Sequence, residues 1–164
     1  MCIRDRPRTV EDLLVSRLPA ATRKQVRIEQ RLPEDATVLG EPFLITQAIG
    51  NLLDNALDFT PVQGSVTLDA ERVGNTWRLR ITNTGSAIPD YALERLFERF
   101  YSLPRPDTGR KSTGLGLAFV RETAQLHGGT IRVDNWRDTQ GNVLGVSACL
   151  TLPAVLRIGN KTRT

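Results

Sequence analysis

The sequence predicts a two-layer α/β (α+β) sandwich, a mixed sheet with its helices packed on one face. Three observations point there. After Pro42, apolar residues fall at Leu44, Ile45, Ala48, Ile49, Leu52, Leu53, Ala56 and Leu57, a pair on every turn, which is the stripe of a helix pressed onto a core. Two pairs of strand-like runs are each joined by a short glycine-bearing turn, the signature of hairpins. The order along the chain is helix, strands, helix, hairpin, helix, loop, helix, hairpin, which mixes the two element types within one unit.

Each element has a local reason. Val10 to Leu18 reads as an amphipathic helix that Pro19 should stop. Val26 to Leu32 alternates as a strand does, with Val26, Ile28 and Gln30 on one side, and a short strand is expected at Val38-Leu39. Gly40-Glu41-Pro42 opens the long helix with proline in its first turn, and Asp58 to Gly64 ends it. Ser65 to Val73 and Thr76 to Thr82 form a hairpin about Gly74-Asn75, and Asn83 to Pro89 follow as a glycine-containing loop. Asp90 is suited to cap a helix running to about Phe97. Ser102 to Thr113 holds prolines, a glycine and charges without periodicity and should be a mobile loop. Gly114 to Leu126 is helical again and closes at Gly128-Gly129. Thr130 to Trp136 and Val143 to Leu152 make the second hairpin, in which Trp136, like Trp77 in the first, is expected to be a packing residue.

The totals set limits. A chain of 164 residues, 40% hydrophobic and 24% charged, is enough for one domain with a real core. Residues 1–6 fit nothing that follows and read as a fragment or sequencing scar, 7–153 as the domain, and 154–164 as a polar, disordered tail. Cys2 and Cys149 lie near opposite ends, and with a single histidine there are too few ligands for a zinc site of the Cys/His type, so a reduced, cytoplasmic chain is expected. No apolar run approaches the ~18 residues of a membrane span, and no contact of this stretch with a membrane is expected. The net charge of +4 is scattered, without dense runs or interleaved aromatics, so no nucleic-acid binding is expected.

Three constellations carry chemistry. Asn51 and Asn55 are four apart and so stack on one helix face, where their carbonyls could hold a hydrated Mg²⁺ and the phosphates it bridges; two solvated polar residues are the alternative. Asn83-Thr84-Gly85 follows a strand: Gly85 would let backbone approach a flat ligand and Asn83 could accept from an exocyclic amine, or the segment is a simple turn. Ser112 to Leu117 leads through Gly114 and Gly116 into a helix N-terminus, a favourable place for phosphate oxygens. Ahead of it, Phe97 to Thr113 carries Arg99, Arg105, Arg110 and Lys111 against Glu98 and Asp107, four cations less two carboxylates for a net +2, as a nucleotide lid would.

In this order and spacing the segments resemble the sensor histidine kinases. NLLDNALDFTP is similar to their N box, NTGSAIP to G1, LFERFYSLP to the F box and STGLGLAFV to G2, with LHGGTI after it, and the likeness runs from about residue 8 to 153. The F-box and G2 phrases look most like the CreC-type sensor kinases of bacteria. The resemblance implies a Bergerat ATP-binding fold and, as cofactors, ATP and Mg²⁺. It implies Asn55 as the Mg²⁺ ligand, Asn51 near the phosphates, Asn83 at the adenine with Gly85 beneath the base, and Ala87 and Ile88 beside it. Phe97 and Phe100 would anchor the lid, Arg99, Lys111 and Thr113 would belong to it, and Gly114, Leu115, Gly116 and Leu117 would form its hinge and the phosphate turn.

The resemblance also implies partners: a phosphoacceptor helical segment of the same kinase and a response regulator receiver domain, with this stretch monomeric and its parent anchored in the bacterial inner membrane. Departures weaken parts of it. Asn83 stands where the family usually has Asp, Ala87 and Ser112 where it has glycines, and Asp58 where many relatives carry a lysine near the phosphates. Hydrolysing members of the superfamily place a glutamate where Asn51 stands, and Asn51 is no general base, so the resemblance implies transfer rather than hydrolysis. His127 lies in the HGG element, outside any phosphoacceptor-like motif, and is expected to cap a helix. Two rivals stand beside the kinase reading: a degenerate module without activity, and a serine kinase of the anti-sigma-factor type.

Overall fold

A computed structural model of the chain describes residues 9–154. Helix α1 spans Thr9–Lys24, strand β1 Arg27–Arg31 and helix α2 Pro42–Phe59. Strands β2 (Ser65–Val73) and β3 (Thr76–Thr84) precede a single turn of helix, α3 (Asp90–Leu93). Helix α4 (Gly116–Leu126) leads to β4 (Thr130–Arg137) and β5 (Val143–Pro153). The five strands form one sheet in the order β1-β2-β3-β5-β4; β1 runs parallel to β2 and every other pair is antiparallel, so the sheet is mixed as expected.

The inner face of that sheet follows from alternation. Val66, Leu68, Ala70, Trp77, Leu79, Ile81, Leu150 and Leu152 are buried, and the register sets Leu68 beside Ile81 and Leu79 beside Leu150. Helix α2 lies on this face through Ile45, Ile49, Leu52 and Leu53, and the burial of each such side chain contributes about 1.5–3 kcal/mol. The outer face is polar: Arg80 pairs with Asp69 at 3.4 Å and Glu71 at 3.5 Å, and Thr82 donates to Ser147. One face is greasy and one charged, which fixes the helices to a single side. Trp77 is core, whereas Trp136 sits on the opposite face and remains partly exposed.

Four local expectations are corrected. Helix α1 runs through Pro19 to Lys24. Proline removes a bond to the carbonyl of Val15, a residue exposed to water, while the Arg17–Asp54 pair (2.7 Å) before it and buried Ala21 and Lys24, which donates to the Leu57 carbonyl (2.8 Å), after it hold α1 on α2. Val38 makes an isolated bridge to Ala154 rather than a strand, so ordered backbone includes the first residue assigned above to the tail. Strand β3 continues through Asn83 and Thr84, which pair with Val146 and Gly145 and are not loop. Helix α3 stops at Leu93, and Pro89, not Asp90, stands at its N-cap position, where its carbonyl accepts from Ala92 and Leu93 and no side chain caps the helix. The assignments made to residues 1–6 and 155–164 lie outside the described residues.

Candidate functional site

Between α2, the end of β3 and the loop before α4 lies a cavity of about 570 Å³, within the range of small-ligand pockets. Asn51, Asn55 and Asp58 reach it from one side of α2, and Ile81 and Asn83 from β3. Ala87, Ile88 and Pro89 form a rim, Val133, Val146 and Ala148 the floor, and Thr113, Gly114, Gly116 and Leu117 the end at α4. Polar groups therefore converge on an apolar floor.

Their hydrogen bonds distinguish them. Asn51 accepts from Gln47 Nε2 and donates to the Gly116 carbonyl (both 3.3 Å), so it ties the start of α4 to α2. Asn55 makes no side-chain hydrogen bond among the described residues and faces the cavity unengaged. Asn83 is 5% exposed and donates through Nδ2 to the Thr84 carbonyl (3.1 Å), which leaves Oδ1 without a protein partner at the cavity wall. An acceptor so placed suits an amine on a flat ring.

The loop of residues 101–113 is laced to itself and strapped to the body. Phe100 N–H donates to the Gly114 carbonyl (3.0 Å), Ser112 N–H to Ser102 Oγ (3.0 Å), and Arg105 N–H to the Arg110 carbonyl (2.9 Å). Gly114 has φ +72°, and a Cβ there would stand 2.5 Å from the Phe100 carbonyl carbon, so glycine is required where the two loop ends meet. Arg105 pairs with Asp58 at 2.6 Å, and Asp107 with Lys24 at 2.6 Å. Asp58, which should repel phosphates if bare, instead holds a lid cation. Burial pushes its carboxyl above the usual range, with Arg105 and Lys24 drawing it down and Asp54 adding to the rise.

Of the residues singled out by sequence, Asn51, Asn55, Asn83, Ala87, Ile88, Thr113, Gly114, Gly116 and Leu117 line the cavity. Six do not. Gly85 backs onto α2, where a Cβ would meet the Phe59 carbonyl oxygen at 2.9 Å, so the two backbones pack closely there. Phe97 lies under the Arg121 guanidinium, 5.9 Å from the ring centre. Phe100 is 78% exposed and joins the lid stem by its backbone alone. Arg99 is taken by Glu122, Lys111 is exposed, and Leu115 is partly exposed at the N-cap position of α4. Leu103, Val133 and Val146 also line the cavity without having been singled out by sequence; for the two valines, the inward phase of β4 and β5 was the available signal. Tyr101 both lines the cavity and stacks on Arg95, 4.4 Å from its ring centre.

His127 is engaged at both ring nitrogens. Nδ1 contacts the Thr123 carbonyl at 2.6 Å, which assigns the proton there, and Nε2 accepts from Glu41 N–H at 3.0 Å. It closes α4 and clamps the entry to α2, a structural duty. Among the described residues no group of three His, Cys, Asp or Glu could hold a metal, and no helix is long and apolar enough to cross a membrane.

A mixed sheet under a long asparagine-bearing helix, with a glycine-rich turn and a lid over a polar-walled cavity, defines an ATP-binding domain of the histidine-kinase catalytic type. The chain belongs to the family described as histidine kinase-, DNA gyrase B-, and HSP90-like ATPase, whose profile matches residues 40–155. It is 54% identical over 112 residues to the sensor protein CreC of Escherichia coli (strain K12), covering 68% of this chain and 23% of that protein. It is 36% identical over 144 residues to the heme sensor protein HssS of Staphylococcus aureus (strain JH9), covering 88% of this chain and 30% of that one. The chain thus spans less than a third of the length of these relatives. Its fold matches histidine kinase ThkA in complex with response regulator protein TrrA, with a TM-score of 0.74 at 22% identity over 94% of this chain and 41% of that one.

Proposed function

We propose that this domain binds MgATP and donates the γ-phosphoryl group to a histidine on a separate dimerisation and phosphoacceptor segment of a two-component sensor kinase. The observation that carries the reading is the convergence on one cavity of Asn55, with its side chain unengaged, and Asn83, with its carbonyl oxygen unpartnered, from two different elements. They come from two elements, α2 and the end of β3, so one ligand could be held at two points. Asn83 accepts from the adenine amine, while Val133, Val146 and Ala148 take the ring's apolar surface. Gly114 and Gly116 bring the free N–H groups at the start of α4 to the phosphates. Asn55 offers one neutral oxygen, which fits magnesium, an ion that keeps several waters and takes its remaining ligands from substrate phosphates. Bound there, magnesium would neutralise charge on the phosphates.

The chemistry asks little more of the chain than positioning. The bond from the γ-phosphorus to the bridging oxygen breaks, ADP leaves, and a new bond forms to an imidazole nitrogen of the acceptor. Asn51, with both ends of its amide used, is no base for water, and transfer outcompetes hydrolysis. A receiver domain of a response regulator then takes the phosphoryl group onto aspartate, as the fold's likeness to a kinase in complex with a response regulator supports. The parent kinase is anchored in the bacterial inner membrane with this domain on its cytoplasmic side, and the isolated domain is monomeric.

Mixing the domain with γ-labelled ATP and a separately produced acceptor helix pair from the CreC-type kinases tests this. Acid-labile, base-stable label on the acceptor is expected, and its absence with ATP bound would sink the transfer step. A degenerate interaction module is the second reading, favoured by the Arg105–Asp58 pair across the phosphate end. For that reading the expected result is weak ATP binding or none, and no label on the acceptor.

A further inference from the structure

The rim of the cavity between Gly85 and Pro89 has little to hold it. Gly85 N–H is tied to the Leu144 carbonyl (3.1 Å) and the Pro89 carbonyl accepts from α3, but Ser86, Ala87 and Ile88 make no backbone-to-backbone hydrogen bond among the described residues. One side chain holds this stretch. Ile88 N–H donates to Asn135 Oδ1 at 2.8 Å, and Asn135 Nδ2 donates back to the Ile88 carbonyl at 2.9 Å. Asn135 sits on β4 opposite Val146, two residues beyond Val133, so the clamp rises from the same face that floors the cavity.

We propose that Asn135 is a positioning residue for the base end of the site: its two-way clamp on Ile88 fixes the Ser86–Ile88 rim against which the purine sits. This rests on the MgATP reading above and extends it to a residue outside the cavity lining. An amide is the side chain for this task, since it offers an acceptor and a donor side by side in one plane. A carboxylate would keep the first bond and set an anion against the Ile88 carbonyl; an aliphatic residue would keep neither. Because the clamp acts on the rim and not on α2 or α4, its loss should be felt by the base and not by the phosphates.

The test uses calorimetric titration with MgATP and, as a base-free probe, magnesium tripolyphosphate, alongside hydrogen exchange of the Ile88 amide in the ligand-free domain. In Asn135→Ala, ATP affinity should fall about tenfold, the cost of ordering on binding a rim that the clamp no longer holds, with tripolyphosphate affinity unchanged and Ile88 exchange accelerated. In Asn135→Asp, affinity for ATP relative to the native domain should fall as pH rises, because the carboxylic acid can donate to Ile88 and the carboxylate cannot. Equal weakening of both ligands, or a relative affinity for Asn135→Asp that is flat with pH, would overturn the positioning role. Unchanged Ile88 exchange would overturn it whether or not ATP binds. A native domain that binds no ATP while Ile88 exchange still responds would instead overturn the nucleotide reading and, with it, the role assigned to the clamp.

Discussion

Asn83 has two demands on one side chain. Its Nδ2 satisfies the Thr84 carbonyl while Oδ1 has no protein partner and would be the contact to the proposed adenine. Aspartate would strengthen the second contact, since a bond to a charged acceptor is roughly twice as strong, but would abandon the first and face the Thr84 carbonyl with an anion. The two effects oppose each other, so Asn83→Asp should change ATP affinity by less than about fivefold in calorimetry. Asp58 makes a different argument. Burial raises its carboxyl above the ordinary value of 3.8, so the fold favours the neutral form. Its stabilising share is fully present below that ordinary value and is lost as pH rises through the raised one. Asp58→Asn should therefore gain stability on the native domain as pH rises over this window, measured by urea unfolding. The asparagines of the cavity could be read in sequence because they interrupt patterns, a helix stripe in one case and a strand end in the other. Asn135 could not, because its partner is a main chain 47 residues away.

At the scale of elements, α2 was legible to within a residue or two because its apolar stripe, its proline and its closing break agree. Helix α1 was not, because tertiary contacts to α2 outweigh the local cost of Pro19, and no local signal carries that information. Strand β5 holds a second hidden constraint. A Cβ on Gly145 would lie 1.8 Å from the Asn83 carbonyl oxygen, so β5 can pair with the end of β3 only if that residue is glycine. Gly145→Ala should destabilise the domain by about 1–3 kcal/mol in urea unfolding, the usual cost of forcing atoms into a packed site. Because the displaced group is Asn83, ATP affinity should fall with it. From sequence, Gly145 was one more residue in a strand.

Across the whole molecule, the sheet supplies a rigid floor, α2 and the start of α4 frame one end of the cavity, the end of β3 and its rim frame the other, and the lid is held to the body by charge. Arg105 and Asp107 reach Asp58 and Lys24, so one short segment ties the lid to both α1 and α2. The sequence announced the lid's charge and its glycine hinge but not its fastening, since ion pairs between segments far apart leave no local pattern. If these parts together hold MgATP, as proposed, calorimetric titration of the domain with ATP, with and without Mg²⁺, will read it out. Magnesium-dependent binding is expected, which Asn55→Ala abolishes while leaving the fold intact by circular dichroism. Binding that ignores both magnesium and Asn55→Ala, or no binding by the native domain, would contradict the proposal.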